Sequence, residues 1–437
     1  MAGVRPLEDS SVSNARNLCT AQAIGARLVR EALWHSGRCN WLGMLGEETQ
    51  TQGSRPSVKY GALGPDLYAG TSGVALLLAE LYAVSSDRAL RRTALGAMRQ
   101  ALQWAEAIPS SVRLGLYAGW VGIAYAAVRV ALLVDEPGLL QRATRLLRSA
   151  KRCTATEHEY DLIGGNAGAV AALIALHGQL QESWLLEFAA QLGDELVQAA
   201  RETPGGGSSW PSVTMRWRHH LTGFSHGAAG IGFALLELHR ATADVAYRRV
   251  AERAFVYEQR WYDTGTRNWA DLREVQVRRA RCGGQLPAAT FWCHGAPGIA
   301  LSRARAYSVL GTTTYRTEAL NAQRTTRVTV EALLATSSSD FSLCHGLAGL
   351  ADVLSVVGPV VDSSEEETRW LVQRVAERGI QWSLAAGMMW PCGTGAGETP
   401  GLMLGLAGIG WFYLRVANPS FPSVLVVGGE QAAKRGN

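Results

Sequence analysis

A short glycine signature recurs seven times along the chain, each time just ahead of an apolar stretch of helical length. Counted between the first glycines, the copies lie 46 to 68 residues apart. The copies read YAGTSG (Tyr68–Gly73), YAGWVG (Tyr117–Gly122), IGGNAG (Ile163–Gly168), SHGAAG (Ser225–Gly230), CHGAPG (Cys293–Gly298), CHGLAG (Cys344–Gly349) and LGLAG (Leu404–Gly408). One element repeated at such intervals is typical of stacked or circular repeat proteins. The sequence therefore predicts one closed body built from repeats.

Two kinds of helical pattern alternate between the copies. The stretch after each signature is apolar nearly all round, as in VALLLAELYAV after Gly73, which is typical of a buried helix. The next stretch, as in Ala89 to Ile108, is amphipathic and rich in arginine. Strand patterns are nearly absent, and VLVVGG near the C-terminus is the exception. This alternation predicts an all-α, seven-fold α/α toroid, in which an inner ring of helices lies within an outer ring and the glycine turns share one rim.

The repeat pattern divides the chain into three predicted segments. Residues 1–58 are predicted as an N-terminal segment with the first outer helices, and residues 59–418 as the α/α-toroid domain. Residues 419–437 are rich in Gly, Ala and Lys and are predicted as a flexible C-terminal tail.

Charge and hydropathy exclude several classes of function. The chain has 437 residues and a net charge of +5, but no block of five or six like charges, so no nucleic-acid interface is expected. One local excess of positive charge consists of Arg273, Arg278, Arg279 and Arg281. A solvated loop is the favoured interpretation of that cluster, with an anionic or peptide partner as the alternative. The apolar stretch Leu116–Val134 is interrupted by Arg129, which favours a buried helix over a membrane span.

The N-terminus and the cysteines bear on the compartment. The first residues lack the basic-then-apolar layout of a secretory signal. The seven cysteines are odd in number and show no disulfide-like spacing, which suits a reducing cytosol. We therefore expect a cytoplasmic protein in which some cysteines are metal ligands or core residues.

The position before the first glycine of each signature differs between copies. It is alanine or glycine in the first three copies, then His226, then His294 after Cys293, then His345 after Cys344. Two cysteines and one histidine bind zinc strongly, and three protein ligands leave a fourth position open, as in catalytic sites. The alternative is that the cysteines are core residues and the histidines are hydrogen-bonded in turns. Two Cys-His pairs in register within a repeat favour the metal site.

Five segments together resemble the lanthionine synthetase C-like cyclases. They are YDLIGGNAG, GFSHGAAGIG, WCHGAPGI, CHGLAG and the closing GLMLGLAGIGWFYLR, and the resemblance extends from about Trp41 to Arg415. Their combination in this order is highly specific. The resemblance implies a seven-fold α/α toroid that binds one zinc ion.

The resemblance also implies roles for individual residues. Cys293, Cys344 and His345 are expected to bind the zinc ion, and Asp161 and His226 are expected to take part in proton transfer near it. Considered alone, Asp161 could instead cap a helix and His226 could hydrogen-bond across the rim.

Within the family, the wording of the motifs is similar to the cyclase halves of bifunctional class II synthetases. The chain lacks their large dehydratase half, so it is expected to be either an excised domain or a free-standing cyclase, which Met1 and its polar leader favour. Two positions depart from the simplest cyclases: His294 stands where they have tyrosine, and Ala289 where they have an arginine. If an arginine is needed, Arg278, Arg279 or Arg281 would have to supply it.

The implied reaction is addition of a cysteine thiol to dehydroalanine or dehydrobutyrine in the same peptide, which forms a lanthionine or methyllanthionine ring. Coordination to zinc would deprotonate the thiol, and His226, oriented by Asp161, would act as acid or base. The expected partners are a dehydrated precursor peptide and a separate dehydratase.

Other functions receive less support. Prenyltransferases and terpene cyclases have α/α barrels, but no Asp-x-Asp-Asp cluster occurs here. A toroidal glycosidase needs paired acidic residues, which are scarce in the signatures. A zinc-dependent thiol- or peptide-binding adaptor, and a protein that adds glutathione without forming rings, stay open as alternatives.

Overall fold

The structure is a computed structural model that describes residues 10–47, 58–153, 158–215, 217, 219–273, 286–337, 339–362, 365–395 and 397–428. Arg278, Arg279 and Arg281 lie outside the described residues. α-Helices dominate the described chain, which confirms the predicted all-α class.

Seven inner helices begin at the seven glycine signatures. They are α2 (Thr71–Ser85), α4 (Trp120–Val134), α6 (Asn166–Leu180), α8 (Ala228–Thr242), α10 (Ala296–Leu310), α12 (Leu347–Val361) and α14 (Leu406–Ala417). Their N-terminal two thirds are buried on all sides; in α6, for example, every residue from Asn166 to Leu176 is buried. The apolar pattern thus marks helices surrounded by other helices.

Outer helices pack against the inner ones. Those in the described chain are α1 (Ser10–Glu31), α3 (Arg88–Gln103), α5 (Pro137–Lys151), α7 (Ser183–Ala199), α9 (Val245–Gln259), α11 (Thr313–Leu334) and α13 (Glu365–Ala385). Each of the outer helices α3, α5, α7, α9, α11 and α13 packs on the inner helix that precedes it in sequence. The last inner helix, α14, packs on α1 instead, so the two ends of the chain meet in one hairpin. This contact closes the ring of seven helical pairs.

Backbone hydrogen bonds join the seven signature turns into a closed circle. The bonds are Tyr68 N to Tyr117 O, Tyr117 N to Ile163 O, Leu162 N to Ser225 O, Ser225 N to Cys293 O, Trp292 N to Cys344 O, Cys344 N to Met403 O and Met403 N to Tyr68 O, all between 2.8 and 3.2 Å. All seven inner helices therefore begin at the same rim. The predicted seven-fold toroid and its common rim are confirmed.

Glycines are required in these turns chiefly by close approach. A Cβ at Gly122 would lie 1.5 Å from the Leu116 carbonyl oxygen, and one at Gly230 would lie 1.9 Å from the Phe224 carbonyl oxygen. Among the first glycines of the copies, Gly295 alone has positive φ, at 84°. The other six turns enter the helix from extended backbone, so a left-handed backbone is needed at one turn only.

Strands in the described chain form four two-stranded antiparallel hairpins. They comprise β1 (Leu33–His35) with β2 (Arg38–Asn40), β3 (Leu42–Glu47) with β4 (Val58–Ala62), β5 (Arg201–Glu202) with β6 (Ser208–Ser209), and β7 (Tyr262–Asp263) with β8 (Asn268–Trp269). The last two hairpins lie in the long loops that precede the fourth and fifth signatures. They shape the approach to those turns.

Arg129, which interrupts the apolar stretch of α4, pairs with a carboxylate inside the ring. Its Nη2 lies 2.6 Å from Oε1 of Glu80 on α2, and Glu80 is fully buried. A buried charge of this kind is tolerated because it is paired. Within the described ranges, no helix has both the length and the apolar character needed to cross a bilayer.

The C-terminal segment differs from the prediction. Residues 421–427 are mostly buried inside the ring rather than forming a flexible tail, and no strand forms at 424–428. The Tyr117 hydroxyl donates to the Val424 carbonyl at 2.6 Å, and Trp292 Nε1 donates to the Leu425 carbonyl at 3.0 Å. The apolar side chains of this segment are buried, and its Val424 and Leu425 carbonyl groups accept hydrogen bonds. The free energy gained by this burial outweighs the conformational entropy that a flexible terminus would keep.

Candidate functional site

Three of the predicted residues converge where two neighbouring rim turns meet. The ligand atoms of Cys293, Cys344 and His345 all lie within 4.8 Å of one another. Both cysteines are buried, whereas His345 is partly exposed. The Trp292 N to Cys344 O hydrogen bond fixes the fifth turn against the sixth and so sets the spacing of the sulfur atoms. Two thiolates and an imidazole are a donor set that suits zinc.

The pKa values of the two thiols are shifted in opposite directions. The hydrogen bond from Cys344, together with the positive charges of His345 and Arg273, lowers the pKa of Cys293 to about 7 despite burial. Burial, and next the adjacent Cys293, raise the pKa of Cys344 well above its ordinary value. One sulfur is therefore readily ionised, and the other would lose its proton when a cation binds.

Asp340 and Phe291 orient the histidine of this set. Asp340 Oδ2 lies 3.5 Å from His345 Nδ1, and its Oδ1 accepts a hydrogen bond from Ser342 N at 2.7 Å. The Phe291 ring meets the His345 ring edge to face, with centroids 5.5 Å apart. Burial lowers the pKa of His345, but the Asp340 carboxylate outweighs burial, so the pKa is raised. With Nδ1 facing Asp340, Nε2 is the nitrogen left for a metal.

His226 and Asp161 form a direct pair on the same rim. His226 Nδ1 lies 2.6 Å from Asp161 Oδ2, and Asp161 Oδ1 accepts a hydrogen bond from Gly164 N at 2.7 Å. Asp161 does not cap α6, whose N-cap residue is Gly165. Burial lowers the pKa of His226, but the Asp161 carboxylate outweighs it and the pKa is raised. The His226 side chain is 40% exposed, so the imidazole is accessible from the rim.

His294 lies beside His226 and differs from it in charge and burial. Its ring stacks on that of His226 with centroids 6.0 Å apart, and the residue is buried. Burial, with the positive charges of Arg273 and His226, lowers the pKa of His294 to about 3. The imidazole is therefore neutral and forms a wall of the site.

The positive charge of Arg273 acts on the site, although the sequence favoured a solvated loop for this residue. Its guanidinium forms an ion pair with the buried Asp271, with Nη2 2.5 Å from Oδ2. Its charge lowers the pKa of Cys293, and the two cysteines in turn help to raise the pKa of Arg273 after its hydrogen bond with Asp271. The spacing of Asp271 and Arg273 in the sequence does not predict this position, because the position depends on the path of the loop in three dimensions.

Tyr68 is a second residue that sequence reasoning missed. Burial, followed by the negative charge of the nearby Cys344, raises the pKa of its hydroxyl well above the ordinary value. The Tyr68 hydroxyl therefore keeps its proton and lies near the Cys344 sulfur. Tyr68 is the first residue of the first signature copy. Once the ring closes, the seventh turn alone separates the first turn from the sixth, so its position in the repeat could have indicated its place at the site.

Comparison with known proteins finds similar sequences and a similar fold. A sequence model of the family described as "Lanthionine synthetase C-like protein" matches residues 61–426. The chain is 20% identical over 363 residues to the lacticin 481/lactococcin biosynthesis protein LcnDR2 of Lactococcus lactis subsp. lactis. That match covers 80% of this chain and 36% of the relative, so the chain spans little more than a third of the relative's length.

Two solved structures share the fold. Nisin cyclase superposes with a TM-score of 0.60 and 17% sequence identity, covering 83% of this chain and 90% of that one. A GH76 α-mannanase of Bacteroides thetaiotaomicron superposes with a TM-score of 0.51 and 13% identity, covering 94% of this chain and 98% of that one. At these identities the likeness concerns the helical toroid alone.

Proposed function

The chain belongs to the lanthionine synthetase C-like family, and we propose that it is a zinc-dependent lanthipeptide cyclase. The reaction adds a cysteine thiol of a peptide to a dehydroalanine or dehydrobutyrine of the same peptide. The observation that carries the proposal is the convergence of Cys293, Cys344 and His345 on the rim that also holds the His226–Asp161 pair.

One zinc ion per chain would be bound by Cys293, Cys344 and His345 Nε2. When bound, zinc deprotonates a coordinated thiol and leaves a fourth position for the substrate sulfur. Asp340 would hold the His345 ring in place, and the Tyr68 hydroxyl would lie near the Cys344 sulfur.

His226 would move the proton. Its Nδ1 is engaged by Asp161, so Nε2 is the nitrogen that can receive or donate a proton in the site. A carbon–sulfur bond forms at the β-carbon, and the proton lost by the thiol equals the one gained at the α-carbon. One imidazole can therefore carry the proton through the reaction, and the Asp161 carboxylate stabilises its charged form.

Arg273 would stabilise negative charge in the same space. Attack on the β-carbon places negative charge on the carbonyl oxygen of the dehydroamino acid. A guanidinium fixed by Asp271 is a preorganised positive charge for such an oxygen. Arg273 is thus our candidate for the cation that the loop supplies, in place of the residues expected from the sequence.

The remaining expectations are also proposals. The substrate would be a dehydrated precursor peptide, and its dehydroamino acids would come from a separate dehydratase. A cytoplasmic location is supported by the described cysteines, all of which are free thiols.

The test is a thiol count. The zinc-loaded protein is incubated with a dehydrated, cysteine-containing peptide, and free thiols are alkylated and counted by mass spectrometry, with Cys293→Ala as the comparison. Ring closure leaves the peptide mass unchanged but removes alkylatable cysteines. Thiol loss with the wild type alone is expected. Persistence of the thiols with zinc bound would overturn the cyclase proposal and favour a binding adaptor; adducts of added glutathione would indicate the glutathione-adding alternative.

A further inference from the structure

Two outer helices, α3 and α5, carry positive charge only. Between them they hold eight basic side chains and no carboxylate: Arg88, Arg91, Arg92, Arg99, Arg142, Arg145, Arg148 and Lys151. In contrast, α9 and α11 mix arginines with glutamates. The whole chain has a net charge of only +5. The basic face is therefore a local feature of this side of the ring.

A pocket lies within this face. It has a volume of about 480 Å³ and is lined by Arg88, Arg91, Arg92, Arg99, Trp34, Tyr82, Leu95 and Gly37. The β1–β2 hairpin forms one wall, and Gly96 of α3 lets the hairpin approach, because a Cβ there would lie 2.7 Å from the Trp34 ring. The Arg92 guanidinium lies over the Trp34 ring, 4.8 Å from its centroid. The pocket thus combines an apolar floor with a rim of guanidinium groups.

Most of these charges lack a partner of opposite sign. Arg91 is used internally, since it donates to the Val134 carbonyl and lies 3.7 Å from Glu136. In the part of the chain that the structure describes, Arg88, Arg92 and Arg99 have no ion pair.

The repulsion extends from α3 to α5. The pKa of Arg142 is lowered by burial, and in addition by the positive charges of Arg145 and Arg99. Like charges held this close would gain from an anionic ligand placed between them.

We propose that this pocket, which we call the α3 pocket, binds a carboxylate-rich peptide segment. The planar guanidinium group matches the carboxylate in geometry and charge. The run from Arg88 to Arg99 spans about 17 Å along the helix, which exceeds a single small anion and fits an extended segment. The apolar floor of Trp34 and Leu95 suits side chains between the carboxylates, and a concave pocket fits a peptide better than a bilayer surface. This inference lies on the outer wall of the ring and does not depend on the cyclase proposal.

Fluorescence anisotropy of the full chain with a labelled peptide of alternating Glu and Ser tests the α3 pocket. The control peptide has Gln in place of Glu. We expect the acidic peptide to bind and its affinity to fall with rising salt, because the contacts are exposed charge pairs. The triple variant Arg88→Gln/Arg92→Gln/Arg99→Gln is expected to bind about tenfold more weakly, as the loss of three exposed pairs predicts.

A matched triple variant removes the same charge elsewhere. Arg248→Gln/Arg249→Gln/Arg324→Gln changes exposed arginines on α9 and α11, and its affinity is expected to stay within about twofold of the wild type. Equal losses in the two triple variants, or equal binding of the Glu and Gln peptides, would overturn the proposal. So would displacement of the peptide by low millimolar phosphate, which would indicate a small-anion site. Binding to phosphatidylglycerol vesicles without binding to the peptide would indicate a membrane surface instead.

Discussion

The turns that begin α8, α10 and α12 lie on the same rim as those that begin α2, α4 and α14, but their side chains differ. Before the first glycine the former carry His226, His294 and His345, and the latter carry alanine or leucine. All six belong to one circle of backbone hydrogen bonds. Glycines and backbone hydrogen bonds therefore maintain the ring of turns as a scaffold. The candidate catalytic and metal-binding residues occupy single side-chain positions on only some of these turns.

Removing a sulfur from the reactive turns should have the largest effect. Cys344→Ala is expected to reduce zinc content well below one per chain and to abolish cyclisation, because two remaining ligands hold the ion poorly. Metal analysis and the thiol count measure this, and circular dichroism checks that the helices remain. Cys39→Ala is the matched control, since Cys39 is also buried but its sulfur contacts the Thr93 carbonyl. Full zinc retention in Cys344→Ala would contradict the ligand assignment.

Changing the proton-transfer pair should separate metal binding from turnover. His226→Ala is expected to retain zinc and to slow cyclisation by about 10² to 10⁴, the usual contribution of acid–base catalysis. His239→Ala, at the far end of the same helix α8, should leave the rate unchanged. Unaltered turnover in His226→Ala would remove the residue from the mechanism.

Asp161→Asn tests the His226–Asp161 pair through the pKa of His226. The Asp161 carboxylate raises the pKa of His226 against the effect of burial. Its neutralisation should therefore lower that pKa, so that the imidazole loses its proton at lower pH than in the wild type. NMR titration of the histidine side chains measures the shift, and an unchanged His226 pKa would show that the pair does not act as described.

Altering the scaffold turns should affect stability rather than chemistry. Gly122→Ala would force a Cβ against the Leu116 carbonyl and is expected to reduce the free energy of unfolding by about 1–3 kcal/mol. Thermal denaturation measures the change. Gly138→Ala is the control, because its nearest neighbour would be a Glu136 side-chain oxygen at 3.6 Å. Equal melting temperatures for the two variants would contradict the close-approach argument.

The smallest effect is expected at Arg273. Arg273→Gln should slow cyclisation by about tenfold with zinc content unchanged, because one partly exposed positive charge is lost from the site. Arg267→Gln, an exposed arginine of the same long loop, is the control. An equal rate in the wild type and Arg273→Gln would show that the guanidinium only holds Asp271.

Local patterns explain why much of the fold could be read from the chain. A helix buried all round needs a continuous apolar run, and a turn in close contact with its neighbour needs glycine, so both requirements are written in consecutive residues. The register of cysteine and histidine within the repeat then indicated which turns carry ligands. Tyr68 joins that set from a turn distant in sequence, whereas Asp340 lies close to His345 in the chain but outside the repeated signature, so the repeat pattern indicates neither residue.

The sequence pattern predicted the seven helical pairs, the common rim and a cluster of Cys293, Cys344 and one histidine, which the family resemblance identified as His345. Only the tertiary structure decided that the Arg273–Asp271 pair forms near the site, that α1 closes the ring on α14, and that residues 421–427 are mostly buried. The physical reason is that periodicity and turn chemistry act between neighbours in the chain. The paths of long loops and chain ends depend instead on which buried surfaces and unpaired hydrogen-bonding groups remain once the ring has formed.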